Sequence, residues 1–366
     1  MHRPLVVLCV LLAVGCASQS RTLSRPAEPP PFLSPAEVMK RMEASAVAYQ
    51  VEGRDSPPGG WADQLWPQRV APRDAPRVKE ENGERVVIDW PGNPPAVDAL
   101  LDEAEPHFEA RRYAEAAKLY EQATNTCPDC YLAWNFRGDA ALFSGDAATA
   151  LEHYRRAIHV NPNDHRSWFF QGNALARLGR FKEALDSWAW CLVLNPRYGV
   201  IRDMFRNNAG LGIAVLGEAI VPRGYAERVG EGVSVQFDPD HDPSWLAFAN
   251  CKALWLGEPS HRQEMTGSSD ERFSTLEEVE CLGSALVVHG GRKEKAGTEH
   301  ASDRSLERLT AITQDGMLTE AVLFEVGTRI HPQLVLTLDD DVRQRLKTYV
   351  LKHVLVPVPT AGGHDL

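Results

Sequence analysis

The sequence holds one apolar run, at residues 5–14, and nothing after it is long and apolar enough to suggest a second membrane span. Positive charge is also scarce: 39 Lys and Arg stand against 50 Asp and Glu, for a net charge of −11. That balance disfavours nonspecific binding of nucleic acid or an anionic surface by the whole chain, so no nucleic-acid partner is expected. Catalytic signatures are missing too. Gly210, Gly212 and Gly217 lack the spacing of a phosphate-binding loop, and Gly290-Gly291-Arg292-Lys293 lacks its terminal Ser or Thr. Ser284 is outside a G-x-S-x-G elbow. With no metalloprotease pair either, an enzyme is not expected, nor a cofactor.

What is present is a beat of 34 residues. Pro128, Pro162 and Pro196 keep it, as do Ala116, Ala150 and Ala184; Ala123, Ala157 and Cys191; and Tyr120, Tyr154 and Trp188. Trp134 with Gly138 and Trp168 with Gly172 add a second spacing of four within two of the units. Small residues let neighbouring helices approach, large aromatics fill the space left, and each proline closes a unit because a ring without an N–H suits a helix margin. The pattern resembles the tetratricopeptide repeat family, whose units are antiparallel helix pairs. It covers residues 97–198, with helices expected near 97–110, 113–126, 131–143, 147–160, 165–177 and 181–194. The first unit is degenerate, with Leu100 and Ala104 where the others have Trp and Gly. Trp134, Trp168 and Trp188 read as packing residues.

At the amino terminus Arg3 precedes the apolar run, and Ala13-Val14-Gly15-Cys16 resembles a bacterial lipobox. The resemblance implies a signal peptide at 1–15 and an acylated Cys16 as the first mature residue. Cleavage removes only Arg3 among the charged residues, leaving 38 basic against 50 acidic. Ala17 after the cysteine implies sorting to the outer membrane, facing the periplasm or the cell surface. Residues 16–96 read as a lipid anchor and a largely irregular tether, because of Pro26, Pro29, Pro30, Pro31 and the break at Pro57-Pro58-Gly59-Gly60. Within it, Ser34 and Glu37 match a capping box ahead of a short helix up to Tyr49, and residues 85–90 have weak strand character.

After Tyr198 the beat is lost. A capping helix at 201–216, a loop with short strands at 222–243, and helices near 245–256, 275–288, 302–312, 318–328 and 340–355 are expected, with a polar Gly-rich insertion from 288 to 297. Asp339, Asp340 and Asp341 suit the start of the last helix, where carboxylates meet free N–H groups. The fold class is therefore mainly α: a helical-repeat solenoid followed by a mostly helical region, 199–366, of unassigned fold.

Five cysteines remain beyond Cys9 and Cys16, an odd number. Cys191 sits at a small-residue repeat position and reads as a buried thiol. Cys127 and Cys130 span an inter-repeat turn and read as a structural disulfide or two unpaired thiols, not as a redox catalyst. Asp238, Asp240, His241 and Asp242 are rich in metal-type donors, but nothing fixes a coordination set, and no metal is expected.

The functional expectation is a membrane-anchored protein-interaction adaptor supporting assembly or organisation of an envelope complex, with an envelope protein or peptide as partner. The resemblance implies recognition on the inner faces of the first helix of each unit. The surface candidates are Asn135, Asp139, Arg166, Asn173 and Arg177; Leu132, Leu142, Phe143 and Phe169 occupy neighbouring inner positions. The repeat positions Trp134, Gly138, Ala150, Tyr154, Ala157, Pro162, Trp168, Gly172, Ala184, Trp188 and Pro196 would build the scaffold. A pilus or secretion-channel assembly lipoprotein, and an envelope enzyme with its site in the C-terminal region, are the alternatives.

Overall fold

The computed structural model describes residues 31–72, 75–296 and 303–358. The apolar run at 5–14, Cys9 and Cys16 lie outside the described residues. Ser34 caps α1 (Pro35–Ala44), accepting from the Glu37 amide while Glu37 reaches back to the Ser34 amide at 2.8 Å. The chain then forms β1 (Tyr49–Gly53), the short α2 (Trp61–Leu65) and a hairpin of β2 (Arg77–Glu81) with β3 (Glu84–Ile88). Asn82 and Gly83 both take positive φ at its turn, which matches the twist of the flanking strands. The expectation of an irregular tether therefore fails for this part of the chain. Trp61 and Trp66 are buried, the Trp66 indole donates to Glu278 at 2.9 Å, and the Leu33 amide donates to Glu280 at 2.7 Å. Prolines break helices here, but the tryptophans between them still have apolar surface to bury.

Six helices keep the repeat: α3 (Pro95–Glu109), α4 (Tyr113–Thr126), α5 (Tyr131–Ser144), α6 (Ala147–Val160), α7 (His165–Arg177) and α8 (Phe181–Leu194). Ala116, Ala150 and Ala184 are fully buried, and Tyr154 and Trp188 press against Gly138 and Gly172. Trp134 and Trp168 each donate an indole N–H back to the carbonyl of the proline that closes the preceding unit, Pro128 and Pro162, at 2.8 Å. Gly145 and Gly179 turn within their units at φ of 98° and 74°. Arg111 holds the same position in the degenerate first unit at φ 59°, a left-handed conformation that costs a residue with a Cβ.

The beat continues one helix further than expected. α9 (Gly199–Asn207) starts 34 residues after α7, buries Ile201 and Phe205, and Arg202 donates to the Pro196 carbonyl as the tryptophans do in the earlier units. It ends before 216: a short 3-10 turn leads through Gly212, at φ 63°, into β4 (Ile213–Val215). Next come β5 (Gly224–Val229) and β6 (Gly232–Phe237), and β6 also pairs in parallel with β1.

The remainder is α10 (Ser244–Gly257), α11 (Pro259–Thr266), α12 (Thr275–Ala296) and α13 (Arg304–Gln314). α14 (Leu318–Ala321) runs through a π-helical segment, Val322–Gly327, into α15 (Thr328–Ile330). α16 (Leu334–Thr337) and α17 (Asp340–Tyr349) follow, and β7 (Leu355–Pro357) closes on β4. α12 does not break at 288; Gly290 and Gly291 stay helical. Asp339 caps α17 through the Val342 amide. One core joins this region to the repeats: Tyr154, Trp188 and Leu192 pack in the same cluster as Trp245, Leu309, Phe324 and Tyr349. The described residues of 199–358 are thus packed onto the solenoid.

Candidate partner-binding site

The five surface candidates are held mostly by the solenoid itself. Asn135, expected to be exposed, is buried, and its Nδ2 reaches Asp164 at 3.3 Å. Asp164 is fully buried at the start of α7, where it also accepts from the Arg166 amide and from Arg166 Nε at 2.9 Å. Asp139 accepts from Tyr154 Oη at 2.6 Å, and Asn173, one repeat on, accepts from Trp188 Nε1 at 3.1 Å. Arg177 donates to the Leu142 carbonyl at 2.6 Å, satisfying the carboxyl end of α5. These residues lock each helix pair to the next because the aromatic on the second helix needs a partner for its polar tip.

Burial pushes the Asp139 carboxyl up to about 7, and Glu105 and Asp164 nearby add to the shift against the pull of Tyr154 and Arg166. Burial, then the Asp139 charge, raises the Tyr154 phenol. Leu142 and Phe169 are buried, while Phe143 is half-exposed and rests against Phe108 and Tyr113.

A groove of about 480 Å³ opens beside this network, between the edge where repeats join and the C-terminal helices. Of the five candidates it takes in Arg166; Arg69, Asn163, Asn195, Arg197 and Arg329 come from elsewhere in the chain. Next to it the chain's own extended residues lie on the same edge: Asn161 Nδ2 donates to the Ala75 carbonyl at 3.0 Å and Asn163 Nδ2 to the Pro76 carbonyl at 3.1 Å. The signal for this edge was in the sequence, since Asn161 and Asn195 are one repeat apart.

Cys127 is joined to Cys130, and Cys251 on α10 to Cys281 on α12; Cys191 is buried and free. Burial pushes the Cys191 thiol well up, which fits a packing role. Around the second disulfide lies the densest set of buried charges. Lys252 meets Glu277 and Glu278; Arg262 meets Glu277 at 2.5 Å; and Glu280 accepts from Trp255 at 2.5 Å and faces His261 at 3.1 Å. Burial works against the Lys252 charge, but the two carboxylates outweigh it and hold the pKa up, and burial raises Glu278. Together with the Leu33 and Trp66 bonds, this network ties α1 and α2 to the C-terminal helices. The donors at 238–242 divide: Asp238 pairs with His241 at 2.8 Å and Asp242 with His289 at 3.0 Å. Among the described residues no group of three or more His, Cys, Asp or Glu is arranged to hold a metal ion.

Residues 101–142 and 137–189 match the sequence profile named Tetratricopeptide repeat. Residues 101–189 are tetratricopeptide repeats. Solved structures resemble about a third of the chain. The first such domain of Spaghetti (RPAP3), bound to the HSP90 peptide SRMEEVD, is 19% identical, with 31% of this chain and 91% of that one covered and a TM-score of 0.30. The Sgt2 domain from Aspergillus fumigatus is 22% identical over 33% and 85%, at 0.30. The Yersinia enterocolitica type III secretion chaperone SycD, in complex with a peptide of the translocator YopD, is 14% identical over 31% and 88%, at 0.29. No curated protein matches the chain.

Proposed function

We propose that this protein is a membrane-anchored adaptor: Cys16 carries the lipid, and the repeats hold a segment of an envelope protein for the assembly or organisation of a complex. The observation that carries the reading is the grip of Asn161 and Asn163 on the carbonyls of Ala75 and Pro76. Carboxamides on a rigid repeat edge bind extended backbone without reading its side chains, and a preformed edge lowers the ordering cost of association. Phe143, exposed on the inner face beside Phe108 and Tyr113, adds an aromatic anchor of the kind that dominates interface energies.

The test has two arms. Mass analysis of the membrane fraction should find the mature chain beginning at an acylated Cys16. A photocrosslinking residue at position 143 in the envelope should give one recurrent adduct that a residue at Lys118, exposed on α4, does not. An unacylated chain starting elsewhere and lost from the membrane sinks the anchor. The absence of any adduct specific to 143 sinks the adaptor, and a recurrent outer-membrane channel in the adduct identifies channel assembly as its task.

A further inference from the structure

We infer that the groove between the repeat edge and the C-terminal helices binds an extended, acidic segment of a partner protein, its backbone taken by Asn195 and its carboxylates by Arg69 and Arg166. The inference rests on the adaptor reading and names the chemistry of what is held.

Three observations converge. The first is repeat equivalence. Asn161 holds the Ala75 carbonyl, and Asn195, 34 residues on, faces the groove. Its Nδ2 lies 3.2 Å from His165 Nε2, a contact an incoming carbonyl can replace. Asn195 therefore occupies the position of a backbone-gripping carboxamide with no backbone among the described residues in its grip.

The second is charge. Among the described residues that line the groove, Arg69, Arg166, Arg197 and Arg329 are the Arg and Lys side chains and Asp164 is the one carboxylate. Arg197 and Arg329 share Glu218 behind the wall, at 2.9 and 3.6 Å, so they are partly neutralised. Arg69 is exposed at the rim, and among the described residues it makes no ion pair. Arg166 gives Nε to Asp164 at 2.9 Å, leaving the outer nitrogens of a planar fork that suits a carboxylate. A cationic groove runs against a chain with net charge −11, so the sign is local to this wall.

The third is the floor. Asn163 lines the groove 8% exposed; its Nδ2 is on Pro76, and its Oδ1 has no hydrogen-bond partner among the described residues. A buried acceptor without a donor is destabilising, and an amide N–H arriving with an extended segment would offset that loss.

The experiment uses the full chain and two fluorescein-labelled peptides, one alternating Glu with Ala and one alternating Lys with Ala, read by fluorescence anisotropy. The acidic peptide should bind and weaken as salt rises, while the basic one should not. Arg69→Glu, which breaks no side-chain hydrogen bond or ion pair among the described residues, should weaken the acidic peptide at least about tenfold with an unchanged circular dichroism spectrum. Asn195→Ala should weaken it as well. Equal binding of both peptides, or an affinity unmoved by Arg69→Glu, overturns the inference. If the adduct at position 143 persists while the acidic peptide is ignored, the groove assignment falls and the adaptor stands. If the acidic peptide binds but no adduct forms, the adaptor reading falls.

Discussion

Tyr154 lies so close to Gly138 that a methyl group added there would sit 2.6 Å from the ring carbon Cε1. The contact repeats at Trp188 and Gly172, so the approach of the paired helices depends on glycine at one fixed position of the unit. Gly138→Ala should therefore destabilise the chain by about 1–2 kcal/mol, because overpacking of about 1–3 kcal/mol outweighs a helix-propensity gain of at most about 1 kcal/mol. Gly283→Ala on α12 is the control: its added methyl meets nothing within 4 Å, and a gain of roughly 0.5–1 kcal/mol is expected. Urea melts of the two variants decide the matter; a Gly138→Ala protein as stable as its parent would show that the helices have room to spare.

Burial of Asp139, against the pull of its bond from Tyr154, makes the repeats sensitive to pH. Asp139 titrates at about 7 when folded, above its ordinary value of 3.8, so in between the folded chain holds a proton that the unfolded chain has released. Stability from this group is thus greatest at low pH and declines as pH rises from about 4 through 7. Asn173 shows the remedy, since an amide at the equivalent position accepts from Trp188 without a charge. Asp139→Asn should flatten the decline and gain on the order of 2 kcal/mol at pH 8. Parallel pH series of denaturation midpoints that keep the same slope in both proteins would exclude Asp139 as the cause.

The repeats were legible because proline, alanine and aromatic positions recur at a fixed interval and each has a local physical reason. Helix starts such as Ser34 and Asp339 were legible for the same reason, since a cap and the amide that donates to it lie three residues apart. What escaped depends on distance in sequence. β1 pairs with β6 across nearly half the chain, so Tyr49–Gly53 carries no local sign of its partner. The surface role expected of Asn135 failed because its acceptor, Asp164, belongs to the next unit. The groove draws on residues near 69, 163, 197 and 329, and no single stretch announces it. The glycines of α12 misled in the opposite direction: Gly290 and Gly291 lower helix propensity, yet the helix runs on to Ala296.

The amino-terminal segment should be a structural part of the C-terminal region. Trp66 is 2% exposed, donates to Glu278 and packs edge-on against Phe248. Trp66→Ala should cost about 3–5 kcal/mol through the cavity alone, with a further loss from the carboxylate it leaves short of a donor. Trp66→Phe keeps most of the volume and isolates the hydrogen bond. Limited proteolysis of both variants, with the fragments mapped, should show new cleavage on α10 to α12 in the alanine variant. Cleavage confined to residues before 66 would mean that the segment is a dispensable appendage.

The two disulfides should differ widely in worth, because what a crosslink removes from the unfolded chain grows with the loop it closes. Cys251 and Cys281 are 30 residues apart and join α10 to α12 beside the buried carboxylates, so losing the bond should cost about 3–4 kcal/mol. Cys127 and Cys130 are three residues apart, and their bond should contribute far less. Cys251 and Cys281 are both buried from an attacking thiolate, as is Cys130, while Cys127 is partly exposed. Denaturation of the parent under a strong reductant should therefore fall to the midpoint of a Cys251→Ala, Cys281→Ala double variant, which should itself ignore the reductant. Cys127→Ser with Cys130→Ser should stay near the oxidised parent and keep the adduct at position 143. A reversed order of the two double variants would place the stabilising crosslink in the repeats, and disulfide exchange lost with Cys127 and Cys130 would reopen the case for a redox enzyme.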